Sequence, residues 1–290
     1  MTQHEKAADL MALHDDPELL ILVNVWDVAS AHAVAARPGC RALATASAAV
    51  AAAFGYPDGE QIPVELTLDM TARIAAAVDV PVSVKMRRGL RNGSRDCLDI
   101  GPRLVGAGAS VLTLHPRSAQ QMYTGTADHS LTAELVDLVD VPVIASGDIT
   151  SRARAQAVLA TTGAAAVMVG RGAQGNPWAL REIVDGDDAE PSREEVVAEL
   201  VLFIRETVRE LGERRASGFL KKFYAWYLGR GRFPRQFKQE LVVLDSTEEV
   251  ERRLIAAAPG ALELIERLEA ELPSGDEVTL ALPISVYGGG

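Results

Sequence analysis

The sequence predicts an α/β protein built as a TIM-type (β/α) barrel and followed by a small helical domain. Four strand-like runs in the middle of the chain each end in a polar or glycine-rich cluster: VSVKMR, VLTLHPR, VIASGD and VMVGRG. The clusters recur every 24 to 31 residues, about the length of one strand plus one returning helix. Because parallel strands of a barrel end at one rim, we expect all four clusters to lie there.

The N-terminal part alternates strands and helices. The apolar runs at 19–25 and 42–46 have strand length, and residues 27–36 between them are predicted as a helix. The alanine-rich run 46–54 is predicted as a second helix. It ends where glycine and proline residues dictate a loop over 55–63.

The middle of the chain continues this alternation. Residues 64–78 carry apolar side chains at spacings of three and four, which predicts a helix that leads into a strand at 81–86. Further helices are predicted over 97–107, 131–139 and 152–160, leading into the strands VLTLH, PVIAS and AVMVG. The sequence thus shows six readable strands. Six strands leave a barrel incomplete, with an open edge or a place for a partner chain.

Near residue 187 the alternation of strand and helix patterns gives way to a helical pattern alone, which predicts a domain boundary there. Residues 1–186 are predicted to form the barrel, and residues 187–272 a helical, RNA-binding-like domain. Pro191-Ser192 followed by Glu194 and Glu195 is typical of a capped helix start. Breaks in the helical pattern are predicted at Gly218, at 229–234 and at Pro259-Gly260. Residues 273–290 are predicted to be a loosely attached tail.

Composition favours a cytoplasmic protein. The sequence of 290 residues is 48% hydrophobic, contains no apolar run long enough to span a membrane, and begins without the pattern of a signal peptide. Its two cysteines, Cys40 and Cys97, argue against a disulfide framework and are interpreted as small packed residues. No His/Cys cluster has zinc spacing, so no metal ligand is predicted.

Charge is distributed unevenly along the chain. The net charge is −11, yet residues 201–240 contain ten Lys and Arg against four Asp and Glu. Phe223, Trp226 and Tyr227 alternate with these cations, and we interpret the aromatic side chains as helix core. For the cations two interpretations stand, a solvated helix face or contacts with RNA phosphates, and the second is favoured.

The rim clusters predict an anion site. A glycine-rich turn after a late barrel strand presents backbone N–H groups to phosphate, which fits Gly170-Arg171-Gly172 together with the preceding Ser146-Gly147-Asp148. Lys85 and His115 also end strands. Each alone is compatible with a structural ion pair or a core histidine, but their joint position on one rim favours a functional site.

From about residue 80 to 254 the chain resembles the tRNA-dihydrouridine synthase family in PVSVKMRRG, LTLHPRSAQQMYTGTADH, PVIASGDI, GAAAVMVGRGAQGNPW and KKFYAWYLGRG. The resemblance implies a barrel with a helical domain that reduces uridine in tRNA through FMN, with NADPH as the reductant. It implies that Lys85 and His115 contact the flavin and that the phosphate is held by Ser146 (usually Asn in that family), Gly147, Asp148, Gly170, Arg171 and Gly172. RNA contacts are predicted for Arg117, Lys221, Lys222 and Arg230.

The first eighty residues lack that family's catalytic cysteine loop, so no catalytic residue is identified and turnover is predicted to be weak. Residues from about 19 to 80 instead resemble the isocitrate lyase/phosphoenolpyruvate mutase family, also barrels, which places a family switch near 80. That resemblance implies that Asp27, residues 45–47 and Asp58 would line a keto-acid site, and it gives an alternative function as a magnesium-dependent lyase or mutase. Where its acidic metal motif is expected, this chain has Lys85 to Arg88, and cations there repel Mg²⁺.

Overall fold

The computed structural model describes residues 1–16, 18 and 20–271, which form two compact units. The first unit contains residues 1–173 and 179–186, and the second contains residues 174–178 and those from 187 onward. The predicted tail at 273–290 lies outside the described residues. No helix in the described ranges is long and apolar enough to cross a membrane.

The first unit is built on a parallel six-stranded sheet, which confirms the predicted α/β class and strand count. The strands pair in chain order, and no pairing of the first strand with the last closes the sheet within the described part of the chain. Their bounds are β1 Val23–Val25, β2 Leu43–Thr45, β3 Val82–Arg87, β4 Val111–His115, β5 Val143–Ser146 and β6 Ala166–Met168.

Helices return the chain from each strand to the next, as the βα pattern predicts. Predicted and observed bounds agree within about two residues for the helices from α2 to α7, whereas α8 was not predicted. They are α2 Val28–Ala35, α3 Ser47–Ala53, α4 Val64–Ala77, α5 Cys97–Gly106, α6 Ser130–Leu138, α7 Arg152–Thr162 and α8 Trp178–Asp185, the last beginning at the boundary between the units.

The first strand is shorter than the sequence predicts. The apolar run 19–25 yields strand geometry only at Val23–Val25, and Leu19 lies outside the described residues. β1 is an edge strand that pairs only with the three residues of β2. An edge strand is hydrogen-bonded on one side alone, so its length is set by its single neighbour.

The sequence analysis missed the N-terminal helix α1, Gln3–Asp15. Thr2 and Glu5 form a capping box at its start, but its apolar residues all lie after residue 6 and form no clear stripe of spacing three and four. Its Gln3 Nε2 donates to the carbonyl oxygens of Val105 and Ala109 at 2.6 and 2.7 Å, and Lys6 Nζ donates to Val78 O at 2.6 Å. These carbonyls precede β4 and β3, so α1 covers the N-terminal end of the sheet.

The two faces of the sheet carry different side chains because successive residues of a strand alternate between them. Met86 and Leu114 pack with the surrounding helices in the larger core. Val111 and Ile144 point to the opposite, inner face, where they pack against Leu10 and Leu13 of α1 with Ala42. By the same alternation Lys85, Thr113 and His115 also face inward, nearer the C-terminal end.

The second unit is a helical bundle. Ser192 caps its first helix in a box with Glu195, as the sequence predicts. The predicted break at Gly218 is wrong, since one helix runs through it and the chain turns at Gly212 instead, with φ of 73°. The helices are α9 Arg193–Leu211, α10 Glu213–Arg230, α11 Arg235–Val242, α12 Thr247–Ala257 and α13 Ala261–Glu271.

The aromatic side chains of α10 only partly form core. Tyr224 and Tyr227 are buried among Leu200, Ile204 and other residues of the bundle core, and Phe223 packs against its edge. Trp226, predicted as core, is 43% exposed. A helix of this length turns its residues through every direction, so a run of four aromatics cannot all face one core.

Candidate active site

The carboxyl ends of β3 and β4 bring together three basic side chains, those of Lys85, Arg87 and His115. Lys85 is opposite Thr113 and Arg87 is opposite His115 in the parallel register. Lys85 reaches solvent at the open mouth of the sheet, yet the protein packed around it lowers the pKa of its ammonium group, and the positive charge of Arg87 adds to this effect. The ends of two strands therefore form a cationic recess.

His115 lies inside this recess as a neutral imidazole. Burial is the main cause that lowers its pKa to about 3, and the charges of Lys85, Arg87, Arg117 and Arg171 lower it further. Arg117 Nη1 lies 3.4 Å from His115 Nε2. A guanidinium can only donate, so Nε2 accepts and the imidazole proton resides on Nδ1.

Arg117 holds the recess together from within. Its Nη2 donates to both carboxylate oxygens of Asp148, at 2.7 and 2.8 Å, and to Gly125 O at 2.7 Å, while Nε donates to Thr124 O at 3.2 Å. It is only 2% exposed. The predicted RNA contact of Arg117 does not fit this position, because its donors are enclosed by protein acceptors.

Asp148 occupies a constrained position directly after β5. Its φ is 57°, and the preceding Gly147 has φ of 109°. A Cβ at Gly147 would lie 2.7 Å from His115 Cδ2, so only glycine fits there. Burial opposes ionisation of Asp148, but the N–H of Ala127 and the charge of Arg117 outweigh it and lower the pKa of the carboxyl group. Its carboxylate thus neutralises Arg117, and the backbone N–H groups of this segment and the Ser146 hydroxyl are left for a phosphate.

The turn after β6 approaches the turn after β5. Arg171–Ala173 form a short 3₁₀ turn, and a Cβ at Gly172 would collide with the carbonyl oxygen of Ile149. Nothing lies within 4 Å of the position that a Cβ would take at Gly170. The two predicted phosphate segments, with Ser146 buried at the end of β5, are therefore adjacent and border open space.

Arg171 is exposed and stacks on an aromatic ring at the rim. Its guanidinium carbon lies 4.3 Å from the ring centroid of Tyr123, an arrangement that holds the cation without neutralising it. The structure thus brings together Lys85, His115, Ser146, Gly147, Asp148, Gly170, Arg171 and Gly172.

Three polar residues of this region were not found from the sequence. Thr113 Oγ1 is buried without a hydrogen-bond partner on the inner face, opposite Lys85. His129 Nε2 lies 2.9 Å from Gly147 O and fixes that carbonyl. Arg87 follows Lys85 by two residues, and the period of a strand was the signal that could have assigned it to the same face.

The loop before α4 adds an unexpected carboxylate. Glu60 has a left-handed φ of 64° and is exposed to solvent. The protein atoms around its carboxyl group displace water and raise its pKa. The positive charges of Arg87 and Lys85 act in the other direction and lower it. The sequence analysis treated this segment only as a loop.

The two cysteines pack in the larger core with the helices, on the opposite face of the sheet from Lys85 and His115. Cys97 is fully buried at the start of α5, and burial raises the pKa of its thiol to about 11. Cys40 precedes β2 and so lies toward the N-terminal end of the sheet, and burial raises its pKa as well. Neither thiol is available at the cationic rim.

A magnesium site receives no support from the donor set. Within the described ranges, no three His, Cys, Asp or Glu side chains are grouped to hold a metal ion. Asp27, implied by the lyase resemblance, caps α2 by accepting from Ser30 N at 2.7 Å. The position after β3 carries Arg87 and Arg88, whose charges repel a divalent cation.

The basic side chains of the helical unit differ in availability. Lys221 Nζ pairs with Asp245 Oδ1 at 2.9 Å, and Lys222 lies over the rings of Phe219 and Phe223. Arg230 is exposed in the last turn of α10. Of the predicted RNA contacts in this unit, Lys222 and Arg230 are exposed, whereas Lys221 is paired with a carboxylate.

The fold and the rim define a class of protein, an α/β barrel-type protein with an anion site at the carboxyl ends of its strands. The model of one family, described as dihydrouridine synthase (Dus), matches residues 63–262. The chain belongs to the dihydrouridine synthase family.

Curated relatives agree with this assignment. The chain is similar to tRNA-dihydrouridine synthase B of Proteus vulgaris, 33% identical over 195 residues, which are 64% of this chain and 60% of that protein. The Klebsiella pneumoniae protein of the same name is 35% identical, covering 66% and 61%, and the Shewanella oneidensis one is 33% identical, covering 81% and 72%. The chain thus spans about 60% of the length of the first two relatives.

Solved structures show the same fold. A crystal structure of phosphonopyruvate hydrolase is similar with a TM-score of 0.52 at 16% identity, covering 96% of this chain and 94% of that one. A second structure of phosphonopyruvate hydrolase, a complex with oxalate and Mg²⁺, gives 0.51 at the same identity. These likenesses agree, at the level of the fold, with the resemblance of the N-terminal segment to a second family of barrels.

Proposed function

We propose that this protein is an FMN-dependent oxidoreductase that reduces uridine in tRNA, with NADPH as reductant, in the cytoplasm. The observation that carries the proposal is the cationic recess around a neutral His115. Four cations without an equal number of carboxylates are costly to gather unless an anion joins them. Arg117 alone is neutralised, by Asp148, which leaves Lys85, Arg87 and Arg171 for a bound group.

The residues present fit a flavin mononucleotide. Its phosphate would be held by backbone N–H groups around Gly147 and Gly170 to Gly172, by the Ser146 hydroxyl and by the charge of Arg171. Lys85 and His115 would contact the ring system, whose carbonyl and nitrogen atoms need donors. When bound, a reduced flavin supplies a hydride.

The chain's own groups prepare this site. Arg117 fixes the imidazole of His115 so that Nδ1–H is a donor at any pH well above 3. Asp148 fixes Arg117 and, with it, the segment after β4. Thr113 Oγ1 offers one more unpaired polar group on the inner face next to Lys85. None of these groups has to reorganise to receive a ligand.

We further propose that residues 187–272 bind the tRNA backbone. Residues 201–240 are basic in an otherwise acidic chain, and Arg230 is exposed among them. Lys221 and Lys222 would join it, although Lys221 must exchange its contact with Asp245. Binding of this kind weakens steeply as salt rises, because each phosphate contact releases a counterion.

The experiment is conversion of uridine to dihydrouridine in unmodified tRNA, measured by mass spectrometry with FMN and NADPH supplied. We expect product with the intact protein and a loss of at least tenfold in the apparent affinity for FMN in Arg171→Ala. Arg73→Ala is the matched control, since Arg73 lies on α4 and pairs only with Asp69. Full FMN affinity in Arg171→Ala, or no dihydrouridine with the intact protein, would overturn the proposal.

A further inference from the structure

The segment that follows β4 carries two large exposed side chains at the rim. Tyr123 is 54% exposed, and Met122 directly before it is 47% exposed. Single apolar side chains are common on protein surfaces and need no explanation. Two adjacent ones beside a proposed ligand site point to a surface that a ligand covers.

Two arginines of the recess hold the backbone on either side of Tyr123. Arg87 Nη1 donates to Met122 O at 3.4 Å, and Arg117 Nε donates to Thr124 O at 3.2 Å. The position of the Tyr123 backbone is therefore set by contacts with the recess itself.

A third arginine covers part of the Tyr123 ring. The guanidinium carbon of Arg171 lies 4.3 Å from the ring centroid. A guanidinium stacked in this way keeps its N–H donors directed outward in its own plane, so the contact is compatible with the proposed role of Arg171 at a phosphate. Because Tyr123 is still more than half exposed, the rest of its ring is open to a second planar group.

The rim around Tyr123 is cationic. Residues 85–95 contain five Lys and Arg and no Asp or Glu, and two of the five pair with carboxylates. Arg91 of this stretch is exposed. Gln120 N donates to Leu90 O at 3.1 Å, which joins this loop to the turn that carries Tyr123. An exposed ring within a cationic rim fits single-stranded RNA, whose bases stack on aromatic rings and whose phosphates are anionic.

A uridine can enter the recess only after it leaves its stack, and the base next to it then loses a stacking partner. We propose that the exposed ring of Tyr123 replaces this partner and stacks on the base next to the target uridine, an inference that rests on the proposed function. Arg91, on the adjoining loop, is available to the RNA phosphates. Tyr123 would thus be a substrate-binding residue rather than a catalytic one.

The first test measures stacking without turnover. Anisotropy of Cy5-labelled pentauridine bound to the FMN-loaded protein is compared with that of a chain of five ribose phosphates without bases. We expect the intact protein to prefer pentauridine by about tenfold or more. Tyr123→Leu should lower this preference by about fivefold or more. Tyr123→Phe, which keeps the ring, should retain it.

Leu138→Ala is the control, because it removes a side chain that is 53% exposed on α6, which precedes β5. This variant should show the preference of the intact protein. Equal affinity of the intact protein for the two chains would overturn the inference. An unchanged preference in Tyr123→Leu would do so too, since a loss that affects both chains alike is not a loss of stacking.

The second test measures turnover at saturating FMN. Tyr123→Leu should raise the KM for tRNA by about tenfold and leave the KM for NADPH unchanged. A rise in the KM for NADPH alone would assign the ring to the reductant and overturn the inference. If the intact protein forms dihydrouridine without a base preference at Tyr123, the inference alone fails. If it forms no dihydrouridine, the proposed function fails, and the pentauridine comparison still decides whether RNA bases stack on Tyr123.

Discussion

Arg117 and Asp148 form an ion pair in which Nη2 donates to both carboxylate oxygens, at 2.7 and 2.8 Å. The pair joins the segment after β4 to the end of β5, and Ala127 N completes it by donating to Asp148 at 2.7 Å. One side of the candidate site is therefore fixed by a contact between side chains that are 31 residues apart.

Removing one partner of this pair should destabilise the fold. Arg117→Met leaves the Asp148 carboxylate without its main counter-charge, and we expect a loss of about 3 kcal/mol in the free energy of unfolding, measured with urea. Asp148→Asn should also destabilise the fold, because it leaves the buried Arg117 guanidinium without its counter-charge. Equal and negligible effects of both substitutions would contradict the arrangement.

Stability should fall in mild acid because of His115. Its pKa is lowered to about 3 in the folded protein, whereas an unfolded chain binds a proton near the ordinary value of 6.5. The unfolded state therefore binds more protons between these values. The free energy of unfolding is therefore unaffected by this group above pH 6.5. It falls as the pH is lowered from 6.5 toward 3, by up to about 1.4 kcal/mol per pH unit.

The contribution of His115 can be isolated by substitution. His115→Asn should flatten the dependence of the free energy of unfolding on pH between 3 and 6.5. His4→Gln is the control, because the side chain of His4 is 71% exposed. An unchanged slope in His115→Asn would show that the imidazole is not held neutral by its surroundings.

Helix α1 should contribute substantially to stability. Leu10 is fully buried against the inner face of the sheet, so Leu10→Ala should cost about 2–5 kcal/mol in chemical denaturation. Leu138→Ala, at a side chain 53% exposed on α6, should change stability by no more than about 0.5 kcal/mol. Equal effects of the two would mean that α1 does not pack as described.

Two glycines of the helical unit should respond in opposite ways to alanine. Gly218 lies in the interior of α10, and a Cβ there meets nothing within 4 Å, so Gly218→Ala should stabilise the protein by about 0.5–1 kcal/mol. Gly212 has φ of 73°, so alanine at this position should destabilise it. Thermal unfolding of both variants measures the difference, and the same sign for both would contradict the break at Gly212.

The sequence was informative where a pattern is local. Strand and helix alternation predicted six strands because each buried run is bounded by glycine, proline or a capping residue. Ser192, followed by Glu195 three residues later, predicted the start of the helix that the two residues cap. The segments around Gly147 and Gly170 could be placed on one rim because parallel strands all end there.

The sequence failed where distant residues decide the outcome. The burial of Arg117 depends on Asp148, a residue of another strand end, and turned a predicted RNA contact into an internal ion pair. Burial raises the pKa of the Glu60 carboxyl group, and the charges of Arg87 and Lys85 on the next strand oppose this shift, none of which the loop sequence indicates. Gly218 is held in a helix by the packing of its neighbours, such as Leu220 and Ala216, which outweighs its low propensity.

The most direct test of the central claim is the visible absorbance spectrum of the protein after incubation with FMN and gel filtration. If Lys85, His115 and Arg171 form a flavin site, oxidised-flavin bands will elute with the protein at about one FMN per chain, and NADPH will bleach them. Protein that elutes without flavin absorbance would contradict the account.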